Sequence, residues 1–234
     1  MHIGKEKAVF IAKKIHSGLV FNMAKLEGNP FTFPEVQTLL DGVTVGGHSL
    51  SDQEQVLRIK AGWDRLIKAV EQDEFKLDKQ TAVGLNSLVA KTEALSIGDF
   101  RNGQVGIQGT DHQPPNEKEL EALFKKLVEE TNNEELPNSA YRYFLKAAAH
   151  QFFWDGNKRT GQLVMNGLLM SNGYSPVSIA AKKQLEYNEK MVRFYDTGKT
   201  EEMEQFLADS TLLKKERSLE NNQVVPETTL YFER

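Results

Sequence analysis

Seven consecutive residues, Trp154-Asp155-Gly156-Asn157-Lys158-Arg159-Thr160, combine a carboxylate, a glycine turn, an amide and two cations. A long apolar-periodic stretch begins just beyond, at Leu163. A Gly-Asn pair opening a helix presents backbone N–H groups without intrahelical partners, and the helix dipole makes that end electropositive. Lys158 and Arg159 add cations in the first turn, where they are unfavourable for the helix itself. A helix that tolerates them there is expected to meet an anion. Gly156, Asn157, Lys158 and Arg159 therefore read as a polyphosphate site, with Asp155 placed to hold a divalent metal of the oxygen-preferring kind. The bland alternative is an ordinary Asp-Gly-Asn turn with Asn as helix cap.

The rest of the chain bounds what such a site could serve. With 234 residues it is long enough for one sizeable domain, and 39% hydrophobic and 26% charged residues fit a globular protein. A net charge of −4 offers no broad basic field, so no nucleic acid is expected as a partner. There are no cysteines, which excludes disulfides, thiolate catalysis and cysteine zinc sites. The start, Met1-His2-Ile3-Gly4-Lys5, has no apolar core of signal-peptide length, and no apolar stretch approaches the ~20 residues of a membrane span. The expectation is a cytoplasmic protein with no membrane partner.

The elements that must position the loop are mostly helical. Thr32-Phe33-Pro34-Glu35 has capping-box spacing and starts a helix ending near Asp41-Gly42; Ser51-Asp52-Gln53-Glu54 repeats the signature. Val56, Ile59, Trp63, Leu66, Ile67 and Val70 recur at helical spacing, and Asp78 starts another helix carrying Leu85, Leu88 and Val89. Leu120, Leu123, Phe124 and Leu127 mark one more. Tyr141, Phe144, Leu145, Ala148 and Phe152 line a helix running into the loop, and further helices are expected over 183–195 and 201–213. One segment departs from the pattern. Residues 100–109 are glycine-rich with alternating Val105 and Ile107, which predicts a short β-hairpin leaning on the helices.

The segment from Tyr141 to Tyr174 resembles the core of the Fic family, whose loop reads His-x-Phe-x-Asp/Glu-Gly-Asn-Gly/Lys-Arg. Phe153, Asp155, Gly156, Asn157, Lys158 and Arg159 match it in register. Leu26-Glu27-Gly28-Asn29-Pro30-Phe31-Thr32 is similar to the family's inhibitory-helix signature, Gly42 to Ser49 to its glycine-rich linker, and 101–109 to its target-docking flap. The resemblance covers about Ala24 to Phe206. It implies an all-α fold, a Fic-type helical bundle with a small β-hairpin flap. Residues 1–50 would be N-terminal helices with the inhibitory-type motif, 51–215 the core and 216–234 a C-terminal tail.

By the same resemblance, the reaction is transfer of AMP from ATP to a protein hydroxyl. Asp155 would hold Mg²⁺, and the Gly156–Asn157 backbone with the Asn157 side chain would cradle the α- and β-phosphates. Lys158 belongs to the same loop, and Arg159 would meet the distal phosphates. Tyr187 and Asn188 fall where the family lines its adenine pocket. Gln104, Val105, Gly106 and Ile107 would dock a target protein on the flap, Glu27 would inhibit, and a homodimer is compatible.

Two departures weigh on that picture. The family's catalytic histidine stands four residues before the acidic residue; here that position is Gln151, and His150 is one residue earlier. One residue along a helix is a rotation of about 100°, so His150 should face away from the loop. A glutamine amide takes no proton near neutral pH and cannot be the general base. Either a local bulge swings His150 into the site, or the site binds nucleotide with poor catalysis; the in-register Phe153 favours the second. The inhibitory glutamate's usual arginine partner is replaced by Gln162, and the Ser or Thr expected four residues before Glu27 is Met23. Glu27 is then left to hydrogen-bond Gln162 or pair with Arg159. Asp111 and His112 are expected to cap the helix after the flap.

The expected function is thus a nucleotide-binding protein adenylyltransferase with weakened or altered catalysis. The alternatives are a catalytically inactive nucleotide-sensing and peptide-binding module, or the toxin of a toxin–antitoxin pair.

Overall fold

The computed structural model describes residues 1–212. The expected tail at 216–234 lies outside them, as do Lys214 and Lys215. Among the described residues the chain forms ten α-helices: α1 (Lys5–Lys14), α2 (His16–Leu26), α3 (Phe33–Leu40), α4 (Leu50–Glu71), α5 (Lys79–Val89), α6 (Leu120–Asn133), α7 (Asn138–His150), α8 (Asn157–Ser171), α9 (Gln184–Thr197) and α10 (Glu201–Asp209). No described helix is long and apolar enough to cross a membrane.

The arrangement centres on α8. Every residue from Arg159 to Met170 is buried, so this helix is covered all round rather than amphipathic. Helices α4, α5 and α7 enclose it, with α1 at its far end. Small residues let them come close. A Cβ on Gly161 would stand 3.0 Å from the Phe144 ring, and one on Gly167 would overlap the Phe75 ring at 2.2 Å. One hydrophobic cluster runs from Ala8 to Leu207 and includes Trp63, Phe144, Phe152 and Phe153.

Local signals set most boundaries. The Thr32–Glu35 capping box is formed, and Asp78 caps α5 by accepting from the Thr81 N–H at 2.8 Å. At α4 the expected frame is displaced. The cap is Ser49, not Ser51, and its reciprocal partner is Asp52. Both frames fit the pattern, but Ser49 has the extended backbone a cap requires. Helix α7 ends at His150, so Phe152 lies beyond it rather than on it.

The β-hairpin is not formed. Residues 104–107 form neither helix nor strand and are unpaired, and the only β-pairing among the described residues is two isolated bridges, His2 with Tyr174 and Val177 with Thr211. Anchors from outside the segment hold the flap instead of a cross-strand ladder. The Arg101 N–H donates to the Phe152 carbonyl at 2.9 Å, Gly103 lies against the Trp154 ring, and the Thr110 hydroxyl donates to Asp196. The helix that follows is capped by Asn116 with Glu119, not by Asp111 or His112.

Candidate functional site

The loop from Gln151 to Gly156 joins two antiparallel helices and is closed by its own polar groups. Gln151 ends α7 in the left-handed conformation, φ 49 and ψ 60, and Gly156 repeats that conformation at the start of α8. At Gly156 a side chain is barred twice. Its φ is +73, and a Cβ would stand 2.8 Å from that of Ala90.

The Asn157 side chain does not point out to a phosphate. Its Oδ1 accepts from the Phe153 N–H at 2.9 Å, and its Nδ2 donates to the Phe153 carbonyl at 2.8 Å and to Gln151 Oε1 at 2.9 Å. The amide is spent as a staple across the loop. What α8 offers a ligand is its backbone, since no side chain caps its N-terminus. Sequence reasoning missed the outer support, Asn86 of α5, which donates to the Asp155 carbonyl at 2.8 Å and to Thr160 Oγ1 at 3.2 Å. An asparagine on the apolar face of a helix was the available signal.

Gln151 faces the loop, and His150 does not. Besides accepting from Asn157, the Gln151 amide donates to the Ala148 carbonyl at 2.6 Å. The His150 ring packs edge-on against Phe152, with Lys146, Lys126, Glu130 and His112 around it. Burial first, then Lys146 and His112, push its pKa down to about 4.

This depression makes stability pH-dependent. The unfolded chain binds the His150 proton near pH 6.5, and the folded chain refuses it until about 4, so stability falls as pH drops through that window. His150→Gln should flatten the acid limb by on the order of 2 kcal/mol at pH 4.5 relative to pH 7. Urea unfolding at the two pH values measures it; an unchanged difference would contradict the assignment.

Arg101, also missed, braces the loop from the flap side. It is 2% exposed and forms no direct ion pair among the described residues, although the charge of Glu117 reaches it. Its Nε donates to the Gln151 carbonyl at 2.5 Å, Nη1 to Gly103 at 2.6 Å, and Nη2 to Pro115 at 2.6 Å and His150 at 3.4 Å. A cation at the C-terminus of α7 complements the helix dipole. Below it, His112 stacks on Tyr195 and its Nε2 lies 3.1 Å from the Ala149 carbonyl.

Opposite the loop stands Glu27, delivered by the C-terminus of α2. The Asn29 N–H reaches back to Ala24 and the Gly28 N–H to Lys25, with Gly28 left-handed at φ 82. That is a Schellman-type stop. Asn22 and the Lys25 carbonyl tie the helix to Ser178, Ala181 and Gln184. Glu27 points inward. Its side chain is 16% exposed, and Oε1 lies 3.4 Å from Lys158 Nζ. It neither hydrogen-bonds Gln162 nor ion-pairs directly with Arg159, but its charge faces Arg159, Tyr187 and Tyr195.

The two phenols are held un-ionised. Burial raises both pKa values, and Glu27 adds to the effect. Tyr187 and Gln162 meet each other, but neither the Tyr187 Oη and Gln162 Nε2 atoms nor the buried Tyr195 Oη have a further hydrogen-bond partner of good geometry. Buried polar atoms are rarely left so, and three beside a carboxylate and a lysine suit a polar ligand. Asn188, one residue on from Tyr187, is exposed on the outer face of α9.

Arg159 is not a free fork. It is 2% exposed; Nη1 donates to the Val89 carbonyl at 2.7 Å, and Nη2 to Glu93 and to Asp155 at 3.0 Å. Burial opposes its charge, yet Glu27, Glu93 and Asp155 raise its pKa above the ordinary value. Asp155 is half exposed. No three His, Asp or Glu side chains converge as a metal cage among the described residues. Gln104 and Gly106 of the flap are exposed, while Val105 and Ile107 are half-buried.

A family model described as Fic/DOC family matches residues 76–169. Curated relatives include the proteins named Protein adenylyltransferase Fic of Drosophila mojavensis, 27% identical over 199 residues, and of Drosophila grimshawi, 28% identical over 200. Each alignment covers 82% of this chain; the chain spans about two fifths of these relatives, 39% and 40%. Among solved structures, Fic-1 of C. elegans superposes with a TM-score of 0.77 at 19% identity, covering 89% of this chain and 63% of that one. A Fic domain-containing signalling protein of Bacteroides thetaiotaomicron gives 0.69 at 22%, covering 76% and 71%. The helix–loop–helix carrying Asp155-Gly156-Asn157-Lys158-Arg159 lies within the residues that match the Fic/DOC family model, and the helical fold around it is the one these Fic structures share.

Proposed function

We propose that the loop and its surroundings bind a nucleotide, and that the protein is an adenylyltransferase whose transfer step is weakened by Gln151 and restrained by Glu27. The observation that carries the reading is the pairing of an uncapped α8 N-terminus with under-satisfied buried polar atoms on α8 and α9, Gln162, Tyr187 and Tyr195. The residues fit ATP with magnesium. Asp155 would hold the metal, which takes its other ligands from phosphate and water. The α8 backbone and Lys158 would hold phosphate oxygens, and the Tyr187–Tyr195–Gln162 group would hold polar atoms of the nucleotide. ATP would supply the adenylyl group: the oxygen of a protein hydroxyl docked along 104–107 would bond to the α-phosphorus, the bond from that phosphorus to the β-phosphate oxygen would break, pyrophosphate would leave, and the hydroxyl proton would pass to solvent. The backbone there makes no backbone hydrogen bonds of its own, which leaves its donors and acceptors open to an added peptide. Gln151 can orient that hydroxyl by hydrogen bonding but cannot take its proton.

Glu27 opposes the ligand by charge. Its carboxylate already holds Lys158, the cation a phosphate would need, and would repel a distal phosphate. Glu27→Gly should therefore raise ATP affinity about tenfold and raise any automodification with it. Calorimetry with ATP and magnesium, and a gel with labelled ATP and lysate, measure the two. Equal affinity in the variant would remove Glu27 from the site. A nucleotide-sensing module without transfer is the second reading, favoured by Gln151 itself. It predicts tightened ATP binding in Glu27→Gly with no labelled protein.

A further inference from the structure

The anion-binding arginine of the loop is already occupied by an anion of the protein. Glu93 sits in the turn that follows α5, with its side chain 26% exposed at the rim of the site. One carboxylate oxygen accepts from Arg159 Nη2. The other accepts from Gln55 Nε2 of α4 at 2.9 Å, and Gln55 Oε1 accepts from Asn29 Nδ2 at 3.0 Å. Asn29 is 3% exposed and stands two residues beyond Glu27. An unbroken chain of hydrogen bonds thus runs from the segment carrying Glu27, through α4 and the α5 turn, to Arg159.

A guanidinium receives carboxylate and phosphate oxygens in the same planar geometry, so Glu93 and a distal phosphate compete for one fork. The surroundings sharpen the competition. Three carboxylates, Glu27, Glu93 and Asp155, face the two cations Lys158 and Arg159. Magnesium can cover Asp155, but nothing covers Glu93 while it holds Arg159. A nucleotide with a single phosphate can sit on the α8 N-terminus and Lys158 without displacing Glu93. A triphosphate reaching Arg159 must expel Glu93 or lie against it in a water-poor site, where like charges repel strongly.

Resting on the nucleotide-binding reading above, we infer that Glu93 is a positioning residue that stands in for phosphate on Arg159. It sets how many phosphate groups the site accepts, and Gln55 keeps it turned inward. The test titrates the full chain with AMP and with ATP, each in saturating magnesium, by calorimetry. Glu93→Gln keeps the shape and removes the charge, and should raise ATP affinity relative to AMP about tenfold. Gln55→Leu leaves Glu93 and Arg159 in place, frees the carboxylate to turn outward, and should move the ratio the same way. It also keeps the test open if Glu93→Gln unfolds the protein. A purely structural role would weaken both nucleotides together and leave the ratio unchanged; an unchanged ratio in the folded variants, with wild type binding both ligands, overturns the Glu93 assignment alone. If wild type and variants bind neither nucleotide, the nucleotide-binding reading falls and this inference with it.

Discussion

Gln151→His should raise adenylyl transfer by about 10²-fold or more, the usual scale of general-base assistance and about 2.7 kcal/mol of activation free energy. The position is prepared for the change. Its left-handed backbone, φ 49 and ψ 60, is one that histidine adopts more readily than most residues. The glutamine amide already points at the loop, where Oε1 meets Asn157. A ring placed there gains a nitrogen able to take the hydroxyl proton near neutral pH, which an amide never does. His150→Ala should leave transfer unchanged, because the His150 ring sits on the opposite side against Phe152 and Lys146 and is held neutral down to pH 4. Single-turnover transfer of labelled AMP measures both. If wild type transfers efficiently and His150→Ala abolishes it, His150 is the base and the assignment of Gln151 is wrong.

Arg101→Ala should cost about 3–5 kcal/mol of stability, the largest effect expected of any single truncation in the site. The guanidinium serves four carbonyls, those of Gln151, Gly103, Pro115 and His150, in a place where water does not reach. Truncation leaves those acceptors without a donor and opens a cavity under the flap. Lysine should rescue little, since one ammonium cannot spread its protons over the same fork. Denaturant unfolding reads the loss directly. A cost below about 1 kcal/mol would mean that water replaces the guanidinium, and that the flap is not pinned through this residue.

Much of the loop is visible in the order of its residues. The Gly156-Asn157 start of α8 and the absent histidine at 151 follow from local rules: which residues turn, which cap and which can carry a proton; that Glu27 faces inward was decided by packing. The capping box at Thr32 and the N-cap at Asp78 were legible for the same reason, since a cap bonds only to its own helix's first turn. Ser49 and Ser51 show where such rules end, because two overlapping frames satisfied one pattern and backbone conformation chose between them.

Partners that arrive from far along the chain were decided by tertiary structure alone. Asn157 reads as a phosphate ligand until the loop closes and spends its amide on Phe153 and Gln151. Arg159 reads as a free fork until α5 brings Val89 and Glu93 against it, 70 and 66 positions away. The 101–109 segment has the alternation of a hairpin, but Phe152, Trp154 and Asp196 hold it from outside and leave residues 104–107 without backbone pairing. Sequence alone determined which groups are present and what each can do as an acid, base, donor or acceptor. Packing determined which are already satisfied, because a hydrogen bond or ion pair depends on distance in space, and burial makes each one all but compulsory.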